Sequence, residues 1–175
     1  VGTAGQVLQT NGAGAPTWVD AGGGAMVLLS TVTAATVATV NIETTFDGTY
    51  DSYMLIGSNI TTTAGGGAPI NCRFKIGSYL SSGTYLFHLN RSDSTSASYV
   101  GSNSASGSSI EVTDVIGDTT VSSRAGYFTM FIRNPSNTVF HKQITWVGSH
   151  ITQSGTLKYV SGSGSNSSST GALTG

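Results

Sequence analysis

Hydrophobic and polar residues alternate along short segments of this chain, and glycine-, serine- and asparagine-rich stretches separate the segments. In the clearest segment, residues 70–76, every second residue is apolar: Ile70, Cys72, Phe74 and Ile76. A period of two places these side chains on one face of a β-strand and the intervening polar ones on the other. The pattern therefore predicts a half-buried strand over this segment.

Similar patterns predict nine short strands in all. They cover residues 25–31, 36–42, 52–60, 70–76, 84–90, 110–117, 125–135, 138–150 and 155–165. Residues 92–109 are rich in serine and are predicted to form a long polar loop, with at most a short strand at residues 97–101. No segment has a sustained helical period. We therefore predict an all-β, antiparallel β-sandwich that is jelly-roll-like, with an immunoglobulin-type Greek key as the alternative.

Charge and cysteine content argue against several classes of function. Charged residues make up 9% of the chain, against about 25% in an average protein, and the formal net charge is −1. The Lys and Arg residues are scattered, so we expect no nucleic acid partner. No apolar run reaches the roughly 18 residues of a membrane helix, so we expect no membrane insertion. The single cysteine, Cys72, excludes an internal disulfide framework.

The acidic and histidine residues do not form a recognisable catalytic or metal-ligating motif. Asp47 and Asp51 flank a Gly-Thr-Tyr segment, where aspartate commonly closes a backbone turn. A carboxylate pair for glycoside cleavage or a calcium loop are the alternatives. The histidines, His88, His141 and His150, show no metal-ligand spacing. We therefore expect no enzymatic activity, no metal and no cofactor.

Aromatic residues carry the strongest binding hypothesis. Tyrosine and tryptophan rings offer flat faces on which sugar rings stack, and serine, threonine and asparagine side chains bond to sugar hydroxyls. Tyr79 and Tyr99 lie in loop-like sequence, and Trp146 lies on a predicted strand. These three residues are the candidate contacts with a glycan or protein receptor. The alternative is a core position, which is the commoner place for aromatic residues at period two.

The first 24 residues differ in composition from the rest, because glycine, alanine, threonine and asparagine dominate them. We expect an extended arm or inter-module connector at residues 1–24 and a sandwich domain at residues 25–175. Within residues 2–18, the larger apolar residues are Val7, Leu8, Pro16 and Trp18. A flexible linker, which is the alternative, has little use for such side chains.

The leader resembles a connector of tail-fibre and other appendage proteins of tailed bacteriophages. The shared pattern is G-T-x-G-Q-V-L-x-x-N-G-x-G-A-P-x-W, and residues 2–18 fit it. The segments TTFDGTYDSYMLIGSNI, CRFKIGSYLSSGTYLF and FIRNPSNTVFHKQI are similar to a β-sandwich module that follows such leaders in phage virion proteins. Such modules usually close with further strands beyond the point where this sequence stops, so the domain is expected to be short of its last strands.

This resemblance implies a structural component of a virion. Fibres of this kind are usually homotrimers, in which three leaders wrap around one axis. The resemblance therefore implies that Val7, Leu8, Pro16 and Trp18 form an interface between copies of the chain. The expected partners are the chain itself, other virion proteins and a host cell-surface glycan or protein. The expected location is a tail fibre or the capsid surface, and the expected role is a spacer or host-recognition tip. A capsid decoration, cement or head-fibre protein is one alternative, and a secreted carbohydrate-binding module is another.

Overall fold

A computed structural model of the chain describes residues 1–10, 12–20, 26–42, 46–63, 65–80, 83–117 and 124–175. The chain divides into two compact units, Val1–Ala35 and Thr36–Gly175. The boundary predicted after residue 24 lies outside the described residues. Within the described ranges, no helix is long and apolar enough to cross a membrane.

In the described residues of the first unit, two strands form an antiparallel hairpin. Strand β1 (Gln6–Gln9) pairs with β2 (Thr17–Asp20), and Leu8 lies opposite Trp18. Gly2 packs against the indole, because a Cβ at this position would lie 2.4 Å from Trp18 Cε3. The leader is therefore not extended throughout. Its valine, leucine, tryptophan and threonine residues favour strands, and they pair within one chain.

The described part of the second unit contains ten further strands. In chain order these are β3 (Ser52–Ile60), β4 (Asn71–Cys72), β5 (Lys75–Ile76), β6 (Ser78–Tyr79), β7 (Tyr85–Asp93), β8 (Ser96–Gly107), β9 (Ile110–Glu111), β10 (Gly126–Arg133), β11 (Gln143–Ile151) and β12 (Leu157–Asn166). Six of them form one antiparallel sheet in the order β3-β10-β11-β12-β7-β8. In this sheet β10, β11 and β12 form a meander, and β7 and β8 form a hairpin beside it.

A thinner second layer covers one face of the six-stranded sheet. It consists of the short pairs β4–β9 and β5–β6 together with the segments around them, which link strands of the large sheet. The C-terminal residues join this layer: the Leu173 N–H donates to Pro135 O at 2.9 Å, and the Lys75 N–H donates to Gly175 O at 2.7 Å. The opposite face of the sheet is the outer face, and this face carries the candidate site.

The core lies between the two layers. The large sheet contributes Tyr53, Tyr85, Leu89, Phe128, Met130, Ile144, Trp146 and Val160, and the second layer contributes Phe46, Phe74, Ile110, Val112 and Leu173. One hydrogen bond ties the layers at a buried point, because the Phe74 N–H donates to the Tyr85 hydroxyl at 2.8 Å. Alternate residues of each sheet strand point away from this core, and they form the outer face.

The predicted all-β, antiparallel sandwich is confirmed. The prediction of a long polar loop at residues 92–109 is wrong, because β8 runs through most of it. Its serine, asparagine and glycine residues pair with β7 at the edge of the sheet, where a strand needs little apolar burial. The strands predicted at residues 25–31 and 36–42 are not formed in their described parts, and residues 26–42 lie outside any strand.

Candidate functional site

A row of tyrosines crosses the outer face of the six-stranded sheet. Tyr127 of β10 lies opposite Ser149 of β11, which lies opposite Tyr159 of β12. Tyr159 lies opposite Ser92 of β7, which lies opposite Tyr99 of β8. Directly opposed residues share a face of a sheet, so tyrosine and serine alternate across five strands. We call Tyr127, Tyr159 and Tyr99 the tyrosine row, and for Tyr99 only the backbone position is described.

The rings of Tyr127 and Tyr159 are accessible from solvent. Their residues are 48% and 45% exposed. One strand separates them, which sets their backbones about 9.5 Å apart at the usual strand spacing. The Tyr127 hydroxyl donates to Asn59 Oδ1 at 2.7 Å, and this bond fixes the outer end of the ring. Because both tyrosines stand on central strands with partners on each side, their positions are set by the sheet.

Apolar and polar groups flank the tyrosine row on neighbouring strands. Ile56 of β3 and Val147 of β11 both lie opposite Thr129 of β10, and both are exposed. On β7, His88 Nε2 lies 3.0 Å from Asn90 Oδ1. The surface therefore combines flat aromatic groups, aliphatic contact area and hydrogen-bonding side chains. These are the groups that a sugar ring requires, with its apolar face and its ring of hydroxyls.

Two of the predicted receptor contacts, Trp146 and Tyr79, are not free surface residues. Trp146 is only 3% exposed and lies in the core, so its role as a surface contact is wrong: the alternation of β11 points it inward. Tyr79 is exposed, but its hydroxyl donates to Asn41 Oδ1 at 2.6 Å. The Arg73 guanidinium carbon and Lys75 Nζ lie 5.5 Å and 5.8 Å from its ring centroid. Cations therefore already contact the Tyr79 ring.

The predicted interface residues of the leader all lie on the surface of the hairpin unit. Val7, Leu8 and Trp18 are about half exposed, and Pro16 is exposed in the loop between the strands. A two-stranded hairpin has no second layer of its own, so these apolar side chains have little to pack against within the unit. The interface role of these four residues stays a prediction.

The acidic residues serve turns and ion pairs in the described part of the chain. The Thr49 N–H donates to Asp47 Oδ1 at 2.9 Å, which is the turn expected for that aspartate. Asp114 forms ion pairs with Arg91 at 3.1 Å and Lys158 at 2.5 Å. Among the described residues, no group of three His, Cys, Asp or Glu side chains is placed to hold a metal ion.

A buried histidine lies near this ion-pair cluster. His150 is almost fully buried, and neither ring nitrogen has a hydrogen-bond partner in the described part of the chain. Burial lowers the pKa of His150; the Asp114 carboxylate opposes this shift, and the Lys158 ammonium reinforces it. Lys158 lies directly opposite His150 on β12. The folded protein therefore holds this imidazole neutral at a pH where the unfolded chain binds a proton.

We expect the fold to lose stability as the pH falls below about 6.5, the ordinary pKa of histidine. Because the folded pKa of His150 is lowered, its stability contribution is full above this value and declines as the unfolded chain takes up protons. The slope is at most about 1.4 kcal/mol per pH unit for one proton. Melting temperatures between pH 7.5 and 5 measure this slope.

His150→Leu should flatten the slope, whereas His88→Gln, a change at an exposed histidine, should not. Equal slopes in all three proteins would contradict the assignment.

Sequence reasoning missed Tyr127 and Tyr159. Both stand at period two on strands that the pattern predicts, but apolar residues occupy both faces of residues 126–132. The pattern alone cannot tell which face is buried. The register between strands, which no local pattern contains, brings the tyrosines into one row.

Comparison with models of protein families, with curated proteins and with solved structures finds no significant match. The function proposed below therefore depends on the residues and on the resemblance of the leader.

Proposed function

We propose that this chain is a non-enzymatic structural module of a phage virion and that it works as an oligomer, a homotrimer. The observation that carries the proposal is the set of exposed large apolar residues in the first unit, Val1–Ala35. Besides the terminal Val1, its described part has eight: Val7, Leu8, Trp18, Met26, Val27, Leu28, Leu29 and Val32. Residues 26–29 are four of these in succession, and contiguous apolar surface exposed to water marks protein–protein interfaces.

The sequence of this region supports an interface over an unstructured linker. Flexible linkers consist of small and polar residues, whereas residues 26–29 are Met-Val-Leu-Leu. Burying one such side chain contributes about 1.5–3 kcal/mol, so several together are enough to hold copies of the chain against each other. The near-absence of charge in this region removes the repulsion that keeps surface segments apart.

The virion role rests on the leader. Its likeness to the connectors of phage tail fibres supports a module that joins others along a fibre, as a spacer or as a host-recognition tip. The same likeness is compatible with a capsid decoration or head-fibre protein, because such a protein would use the same sandwich and the same oligomeric contacts. Its location would be a tail fibre or the capsid surface, and its partners would be its own copies and other virion proteins.

Substitution of the hairpin surface tests the oligomer. In the Leu8→Ser, Trp18→Ser double variant, we expect association to weaken at least about a hundredfold, since two central apolar contacts are lost. Both residues belong to the first unit, so the sandwich of the second unit should persist in each copy. Leu157→Ser is the matched control, because Leu157 is equally exposed but lies at the start of β12. Light scattering that shows the same mass for all proteins would contradict the hairpin interface.

The tyrosine row favours a second candidate function, the binding of a cell-surface glycan. Two exposed rings on rigid central strands, with the Ser149 hydroxyl between them, form the kind of platform on which sugar rings stack. This function is compatible with a host-recognition tip. In a monomeric protein it would instead support a carbohydrate-binding module.

A glycan array tests this second candidate. If the row binds a sugar, the Tyr127→Ala and Tyr159→Ala variants should each weaken binding by at least about tenfold. Phe140→Ala is the control, because Phe140 is a more exposed aromatic residue outside the sheet. Binding that survives both tyrosine substitutions, or that is lost equally in the control, would contradict a glycan site on this face.

A further inference from the structure

One edge of the six-stranded sheet has no further strand beside it in the described part of the chain. Strand β3 (Ser52–Ile60) is the terminal strand of the sheet, and β10 is its one strand partner among the described residues. Natural edge strands usually carry charges, proline, a β-bulge or a cover that prevents further pairing. The register shift between β3 and β10 lies at the end of β3, between Gly57 and Ile60, and it leaves residues 52–57 in regular register. Ser52–Ile60 contains no charged residue and no proline. Its segment Tyr-Met-Leu-Ile is apolar on both faces, with Tyr53 buried and Ile56 exposed on the outer face.

The other edge of the sheet is different. Strand β8 (Ser96–Gly107) consists of serine, alanine, asparagine and glycine with one tyrosine and one valine. A strand with so few apolar side chains gains little from an added neighbour. The two edges therefore differ in apolar side chains. An added apolar strand would find apolar neighbours beside β3 and few beside β8.

The chain also contains a segment with the complementary pattern that has no backbone partner among the described residues. Residues 26–32, Met-Val-Leu-Leu-Ser-Thr-Val, include four consecutive apolar residues and three β-branched ones. All are exposed, with Leu28 at 83%. In the described part of the chain, no backbone N–H or carbonyl of residues 26–32 takes part in a hydrogen bond. An uninterrupted apolar run of this length is typical of a strand that is covered on both faces.

We propose that residues 26–32 of one copy add as a strand to the free edge of β3 in a second copy. This inference rests on the proposed oligomer and specifies how its copies are joined. The two segments match because each is uncharged and apolar on both faces. Pairing satisfies the outward-facing backbone groups of β3 and the half of those in residues 26–32 that face it, places one set of side chains over the core, and places the other beside Met54 and Ile56. Strand addition to an open edge is an established mode of segment recognition.

Cysteine cross-linking between differently tagged chains tests the pairing. One chain carries Leu28→Cys and the other carries Ile56→Cys, and the two are refolded together and treated with a short bismaleimide. Both sites are exposed, at 83% and 62%, so the substitutions should not disturb the fold. The native Cys72 should stay unreactive, because burial raises the pKa of its thiol to about 12; the unsubstituted chain verifies this. We expect a cross-linked product that contains one chain of each tag.

The control replaces the acceptor site by Val100→Cys on β8, which is similarly exposed and lies on the opposite edge. It should give no mixed product. A chain that carries both Leu28→Cys and Ile56→Cys should cross-link into species of more than one chain. A cross-link confined within single chains, or equal yields at β3 and β8, would overturn the inference.

Mass measurements on the same samples separate this inference from the function on which it rests. An oligomer that forms without the mixed cross-link overturns strand addition and leaves the oligomeric module standing, whereas a monomer overturns both. A second variant, Ile56→Lys, places a charge on the edge strand at an exposed position. We expect it to weaken association at least about tenfold with an unchanged circular dichroism spectrum. An unchanged mass for this variant would overturn the inference.

Discussion

Replacing Gly162 by alanine should destabilise the protein by about 1–3 kcal/mol, although it adds a single methyl group. Gly162 of β12 lies directly opposite Trp146 of β11. A Cβ at this position would lie 2.4 Å from Trp146 Cζ2 and 2.5 Å from the backbone oxygen of His88. The oxygen belongs to a paired strand and cannot move freely, so the methyl group must displace the indole or open the sheet. Urea unfolding measures the loss.

Gly101→Ala is the matched control. Gly101 also lies within a strand of the same sheet, but the atoms nearest to its Cβ position are His88 Cε1 at 3.6 Å and Leu89 O at 4.0 Å. These are ordinary contacts, so we expect a change within about 0.5 kcal/mol. A similar loss of unfolding free energy at both glycines would show that the methyl group acts as it would in any strand. That result would contradict the packing of Trp146 over Gly162.

The second large effect concerns Trp146 itself. We expect Trp146→Ala to cost about 3–5 kcal/mol, because the indole is buried in the core between the sheet and the second layer. Tyr127→Ala, on the outer face of the same sheet, should change stability far less, since its ring is about half exposed. Unfolding curves for the two variants therefore distinguish a core aromatic residue from a surface one.

The outcome also bears on the proposed site. If Trp146→Ala left the free energy of unfolding unchanged, the inner face would not be the buried one, and the outer-face positions of Tyr127 and Tyr159 would be wrong as well. Period two links these assignments, because Trp146 and Val147 are neighbours that must face opposite sides of the sheet.

The sequence predicts side-chain facing well where polar and apolar residues alternate. In residues 142–146 it places Lys142, Ile144 and Trp146 on one face, and all three are buried. The ammonium of Lys142 is accommodated because it donates to backbone carbonyls, including Phe140 O and Thr170 O, each at 3.3 Å. These carbonyl acceptors explain why a charged residue, Lys142, is buried on an otherwise apolar face. The period of the sequence gives no information about them.

The pattern fails where tertiary pairing decides the structure. Residues 96–107 look like a loop because serine dominates them, yet they form the longest strand described, since they pair with β7 from Ser96 to Gly107 with two register shifts. Residues 26–32 look like a strand, yet lie outside any strand. The tyrosine row depends on the register of five strands. In each case the missing information is which segments meet, and a single sequence does not contain it.

The most direct test of the account is the mass of the unmodified chain in solution, measured by light scattering or native mass spectrometry over a range of concentrations. The account predicts an oligomer of about three times the 17.8 kDa chain mass that persists on dilution, because the apolar residues of the hairpin and of residues 26–32 are then covered by other copies. A monomer of 17.8 kDa at every concentration would contradict the structural module, and the tyrosine row would then be the first surface to test for function.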